Sequence, residues 1–173
     1  VVGLDRAGDL HLVDDDLEDR LAAFEIIDRI FRREGDLDRL LVIPKGLTLN
    51  QIWTICRERF DGKVWSWCGG DLDKGVPTND RVATTSYAIR VHDRVEADEE
   101  LKSLSANDLK ARKIVTVTLL ERLVYELKCF DETGGHLDLV NITLCSGSRC
   151  SGGRVPCVGW GGDGLYVDWV DPS

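Results

Sequence analysis

GSRCSGGRVPCVGWGGDGLYVDWVDPS, residues 147–173, sets two strand-like runs on either side of a glycine-rich turn. Residues 155–160 and 165–170 flank Gly161-Gly162-Asp163-Gly164, a run that accepts positive φ at little cost, so the stretch predicts a β-hairpin. Side chains alternate between the two faces of a strand. One face collects Val158, Trp160, Leu165, Val167 and Trp169, all large and apolar, and is expected to pack on the core. The other collects Cys157, Gly159, Tyr166, Asp168 and Val170, which share no chemical theme. A face without a theme is either mixed by drift at the edge of an ordinary α+β domain or chosen for something other than packing.

Working back from this hairpin, residues 136–145 alternate Leu137, Leu139, Ile142 and Leu144 and predict a strand that leads into it. Upstream, Thr118 and Glu121 stand in capping-box spacing ahead of Leu119, Leu123, Leu127 and Phe130, which share a helix face, and Gly134-Gly135 stop that helix. Ser105 with Asp108 and the acidic residues 96–101 predict short helical turns. Residues 86–91 alternate as a strand, with Tyr87, Ile89 and Val91 facing one way.

Asp61-Gly62 introduces a strand over residues 63–68 with Trp65 and Trp67 on one face. Two such rings can stack on a sugar or a base, but burial in the core is the commoner use of that much apolar area. Residues 69–80 have the composition of a long loop. Thr48 and Gln51 form a further capping box ahead of Ile52, Cys56 and Phe60. Residues 40–43 read as a short buried strand that Pro44-Lys45-Gly46 turns. At the start of the chain, alternation around Arg6-Ala7-Gly8-Asp9 predicts a hairpin. Asp14, Asp15 and Asp16 then stand at the positive end of a helix carrying Leu17, Leu21, Phe24, Ile27 and Phe31, where capping is the expected role of the acids rather than metal binding.

The 173 residues suit a single domain able to bury a proper core. Hydrophobic content of 43% and charged content of 31% place the chain among soluble globular proteins. A net charge of −9 with scattered Lys and Arg excludes a general nucleic-acid binder, because phosphate affinity needs clustered cations. No apolar run approaches a bilayer span, so direct membrane insertion is not expected, and no targeting segment is visible in a sequence that begins at Val1. The compartment stays open, cell surface and secretion included. Six cysteines are too sparse for a disulfide-built scaffold, and Cys56 and Cys129 fall on helical patterns as buried thiols. Helices and strands interleave without a βαβ rhythm, which reads as α+β.

The frame SRxSxGxVPxVxW followed by LxVxW, over about the last quarter of the chain, resembles the variable proteins of diversity-generating retroelements, most closely the archaeal type. Residues 119–145 are similar to that family as well. The resemblance implies a C-type-lectin-like fold, with two helices, small antiparallel sheets and a long loop region. It implies a non-enzymatic ligand-binding protein with no cofactor, whose partner is expected to be a protein. It also implies that residues 147–173 hold positions diversified when reverse transcription scrambles template adenines. Asn codons then give Gly, Ser, Asp, Tyr, Cys, Arg, Val or Leu, and never Lys, Glu, Gln, Met or Trp.

The positions so implied are Cys150, Gly152, Arg154, Cys157, Gly159, Gly161, Gly162, Asp163, Tyr166, Asp168, Val170, Asp171 and Ser173, every one of a reachable type. After Glu132 the chain has no Lys, Glu or Gln at all. Tyr166 is the expected energetic anchor, supported by Arg154 and Asp168, since aromatic and Arg residues dominate interface hot spots. The many glycines make this copy a weak binder. The family pattern continues into a further strand where this sequence reaches Pro172-Ser173.

Other chemistries are weaker. His11, His92 and His136 are dispersed and accompany no nucleophile motif. Cys145, Cys150 and Cys157 with His136 lack the close CxxC spacing of structural zinc sites. Asp168-Trp169-Val170-Asp171 lacks the amide found in the calcium sites of sugar-binding lectins. Two alternatives stand beside the resemblance: an acidic interaction module with a fixed partner, and a hydrolase using carboxylates from Asp71, Asp73 and Asp80.

Overall fold

The structure is a computed structural model that describes residues 37–173 together with the backbone of two short N-terminal strands. Those strands, β1 (Val2–Leu4) and β2 (Leu10–Leu12), pair antiparallel with Gly3 opposite His11, as the expected hairpin requires. The helix expected over Leu17 to Phe31, with the three acids ahead of it, lies outside the described residues.

β3 (Arg39–Ile43) alternates, with Leu41 and Ile43 fully buried and Val42 exposed, so it is a half-buried strand. α1 (Leu49–Arg59) begins where its capping box places it. The Gln51 N–H donates to Thr48 Oγ1 at 3.3 Å, and Gln51 Oε1 accepts from the Thr48 N–H at 2.9 Å. β4 (Val64–Ser66) follows. The expected loop over residues 69–80 instead contains α2 (Leu72–Gly75) and β5 (Thr78–Asn79). The reason is docking: Asn50 at the start of α1 accepts from the Leu72 N–H at 2.8 Å and donates to Asp71, while the Leu72 side chain is fully buried.

β6 (Tyr87–Val91) pairs antiparallel with β3, and a 3₁₀ turn at Glu99–Leu101 precedes α3 (Ala106–Ala111), which Ser105 and Asp108 cap. α4 (Leu119–Thr133) opens on the Thr118/Glu121 box and closes at Gly134, whose φ of 71° is the left-handed cap that glycine supplies without strain. The strand expected over residues 136–145 shrinks to β7 (Thr143–Leu144). Asp138 turns left-handed with φ 53°, its carboxylate accepting from Arg122 and Thr143, and the Glu96 carboxylate accepts from the N–H groups of Leu139, Val140 and Asn141. Donors taken by a carboxylate do not enter a ladder. β8 (Ser148–Arg149), β9 (Val155–Gly161) and β10 (Gly164–Val170) complete the chain.

The main sheet has the order β4-β10-β9-β7, with β4 parallel to β10 and the other neighbours antiparallel. On its inner side Val158, Leu165 and Val167 join Ile52, Trp53, Cys56 and Phe60 of the α1 region and Leu119, Leu120 and Leu123 of α4 in one apolar cluster. Among the described residues three carboxylates, Glu121, Glu126 and Asp138, are buried within this α+β arrangement and all are paired. Glu121 accepts from Arg81 Nε and Nη2 at 2.6 Å each and from the Tyr87 hydroxyl at 3.0 Å. Glu126 accepts from Arg122 Nη1 at 2.9 Å, and Arg122 Nη2 donates to Asp138 at 2.8 Å. Burial of a charge is tolerated where such partners meet it.

Candidate functional site

The register of the β9–β10 hairpin places Leu165 opposite Trp160 and Val167 opposite Val158, with Trp169 opposite Pro156. The first two are the core-facing pairs; Trp169, expected on the core as well, reaches past its end. On the other side Tyr166 stands opposite Gly159 and Asp168 opposite Cys157. A two-residue turn of Gly162 and Asp163, both exposed, joins the strands, and Gly161 pairs with Gly164. Gly164 has φ 120°, and a Cβ there would lie 2.7 Å from the Lys63 carbonyl carbon, so only glycine fits.

β4 gives the outer face a theme that its hairpin residues lack. Val64 pairs with Leu165 and Ser66 with Val167 in parallel register, which turns Trp65 and Trp67 outward. Both were expected in the core; Trp65 is 38% and Trp67 64% exposed. Trp65 stacks on Tyr166 at 5.1 Å and 16°, and Trp67 meets Trp65 edge-on at 5.8 Å. Tyr166 lies across the strand over Gly159, where a Cβ would come within 2.7 Å of the phenol oxygen. Cys157 is covered on this face, only 3% exposed, and burial beside Asp168 pushes its thiol up to about 12. Asp168 accepts from the Trp169 N–H at 2.7 Å.

A second group forms at the sheet's corner. Trp169 lies on the inner face beyond the end of the core and is 38% exposed. The Arg154 guanidinium sits 3.4 Å from the centre of its ring, an arrangement in which the cation meets the negative face of the indole. Trp67, Cys68, Cys150, Gly152, Arg154 and Trp169 line a cleft of about 260 Å³. Val170 pairs with Val155, and Asp171 and Ser173 are exposed beyond it. The thirteen implied positions thus fall into an outer sheet patch, a corner cleft, the hairpin tip and the chain's last residues. Sequence reasoning put Trp65 and Trp67 elsewhere: their shared face was legible, but which way it points depends on pairing with a strand a hundred residues away.

The carboxylates weighed for hydrolysis are engaged locally. Lys74 and Asn50 hold Asp71 down to about 2, and Asp73 accepts from the Leu49 N–H at 2.9 Å. Asp80 borders a separate cleft of about 420 Å³ with Arg81, Lys110, Lys113 and Arg149. Cys145 is fully buried, while His136 stacks on Trp160 with ring centres 3.2 Å apart and lies 2.9 Å from Glu126. Among the described residues no three His, Cys, Asp or Glu side chains gather to hold a metal. No described helix is long and apolar enough to cross a membrane. Comparison with family models, with curated proteins and with solved structures returns no match.

Proposed function

We propose that this chain is the variable ligand-binding protein of a diversity-generating retroelement, a non-enzymatic display scaffold of C-type-lectin-like fold. One observation carries the reading: the hairpin divides its residues between holding and displaying. The Leu165–Trp160 and Val167–Val158 pairs hold it, whereas none of the thirteen positions implied by the resemblance is a buried member of the apolar cluster between sheet and helices. At the exposed ones, such as Gly152, Gly162, Asp163, Asp171 and Ser173, substitutions typically change stability by less than about 0.5 kcal/mol, so sequence can vary while the backbone stays; Cys157 and Gly159 are buried under the outer face and tolerate less.

Gly159 is the tight case, and it supports the reading rather than opposing it. The atoms its missing Cβ would meet first belong to the far end of Tyr166, itself one of the varied set. A side chain at position 159 therefore needs a smaller or shifted side chain at 166. Trp65 and Trp67, whose residue type adenine scrambling does not produce, supply a constant aromatic border to the varied surface. In this copy Tyr166, stacked on Trp65, is the anchor for a protein ligand, with Arg154 at the corner.

A combinatorial library tests this. The thirteen positions are randomised within the reachable residue types, and the folded fraction is read by protease resistance on a display platform. Most clones are expected to fold, and a matched library at Val158, Trp160, Leu165, Val167 and Trp169 is expected to lose most of them. Equal tolerance, or equal intolerance, would overturn the reading.

A further inference from the structure

Cys68 Sγ lies 3.9 Å from Cys150 Sγ, although 82 residues separate them. Both are free thiols, half-buried on the wall of the corner cleft. Their backbones are held close through Gly75. A Cβ on Gly75 would meet the Cys68 carbonyl oxygen at 2.5 Å, and the Gly75 carbonyl accepts from the Ser151 N–H at 3.0 Å. The Cys150 N–H donates to the Arg154 carbonyl at 2.8 Å, and the Cys68 N–H to Ser66 Oγ at 3.0 Å. With both main chains tied, side-chain rotation is the motion left to bring the sulfurs to the ~2.05 Å of a disulfide.

We propose that Cys68 and Cys150 form an intramolecular disulfide on exposure to a low-molecular-weight disulfide such as oxidised glutathione, and that this bond closes one wall of the Trp67–Trp169–Arg154 cleft. The reaction runs in two exchanges. Cys68, deprotonated to solvent, attacks one sulfur of the small disulfide, forming a mixed disulfide and releasing one small thiolate. The Cys150 thiolate then attacks the Cys68 sulfur, forming the protein bond and releasing the second. Two electrons pass from the pair to the small disulfide, which leaves as two thiols.

The order follows from the surroundings. A hydrogen bond from Cys150 and another from Ser66 hold the Cys68 thiol below its ordinary value despite desolvation, and its partner is pushed up. The other buried thiols are poorer candidates: Cys56 is pushed to about 12 by burial, and Cys145 is pushed up by burial too. The bond would covalently join the end of β4 to the segment before β9, fixing the edges that carry Trp67 and Arg154. It does not depend on the ligand-binding reading above.

The test uses the full chain treated with oxidised or reduced glutathione, then denatured, alkylated and weighed. The oxidised sample is expected to carry two fewer alkyl groups than the reduced one, which has six cysteines to alkylate. Peptide mapping should link Cys68 to Cys150, and the thermal midpoint should rise on oxidation. In Cys150→Ser the glutathione adduct should persist on Cys68 and the rise should vanish. The proposal is overturned if all six thiols alkylate after oxidation, if the adduct persists in the unmutated chain, or if the link joins another pair such as Cys68 and Cys157.

Discussion

Leu165 and Tyr166 are neighbours on β10 that face opposite ways, and replacing each by alanine separates the two jobs of the hairpin. Leu165 is fully buried against the helices. Leu165→Ala removes three carbons at about 0.8 kcal/mol each, or about 2.4 kcal/mol before any cavity is counted. With partial collapse around the void, the loss comes to about 3–4 kcal/mol. At about 2–4 °C per kcal/mol for a chain of this size, the thermal midpoint drops by about 6–16 °C. Tyr166→Ala gives up the stack on Trp65, worth about 0.5–1.5 kcal/mol, and little more, because the ring covers a glycine at the surface. Urea denaturation followed by circular dichroism reads both, with the m-value expected unchanged. A Tyr166→Ala loss as large as that of Leu165→Ala, or a Leu165→Ala loss under about 0.5 kcal/mol, would refute the two-faced hairpin.

Three further outcomes follow from the same geometry. Gly164→Ala, at φ 120° and against the Lys63 backbone, should cost more than about 3 kcal/mol or prevent folding, whereas Gly162→Ala, with nothing within 4 Å, should stay within about 0.5 kcal/mol by thermal denaturation. Arg81→Met strands the fully buried Glu121 carboxylate and should cost about 3–5 kcal/mol, with part of the loss recovered when Glu121→Gln is added. The third concerns alkaline pH. Cys56 and Cys157 are held near 12 when folded against an ordinary thiol value of 9.0. Between those values the unfolded chain has lost protons that the folded chain keeps, so stability falls as pH rises past 9, by up to about 1.4 kcal/mol per pH unit for each thiol. Denaturation midpoints from pH 7 to 11 check this, and a flat profile would contradict it.

The helix starts were legible because a capping box is a local device: Thr48 with Gln51, Ser105 with Asp108, and Thr118 with Glu121 each satisfy their own first-turn donors within three residues. The hairpin was legible for the same reason, since alternation and the Gly162-Asp163 turn set its register within sixteen residues. What stayed hidden rests on distant partners. Trp65 and Trp67 face outward because the register of β4 on β10 sets Trp65 beside Tyr166 rather than beside Leu165 or Val167. Residues 136–142 fail to form a strand because Glu96, more than forty residues earlier, takes the donors of Leu139, Val140 and Asn141, and the Asp138 N–H goes to the Val95 carbonyl. Asp71 and Asp73, read as candidate catalytic acids, anchor the 69–80 segment to the start of α1. Of the thirteen implied positions, Cys150, Gly152 and Arg154 precede the hairpin and gather at a corner whose other wall comes from Trp67 and Cys68, just after β4. Alternation within the hairpin carries no information about that wall.

The sharpest test of a displayed, diversified surface is deep sequencing of the DNA encoding residues 150–173, with its flanks, across many cells of the source population. The proposed function predicts substitutions concentrated at the thirteen positions and explicable by adenine changes in a nearby template copy. Val158, Trp160, Leu165, Val167 and Trp169 should be spared. An invariant stretch with no template copy would contradict it and return the hairpin to an interaction module with one fixed partner.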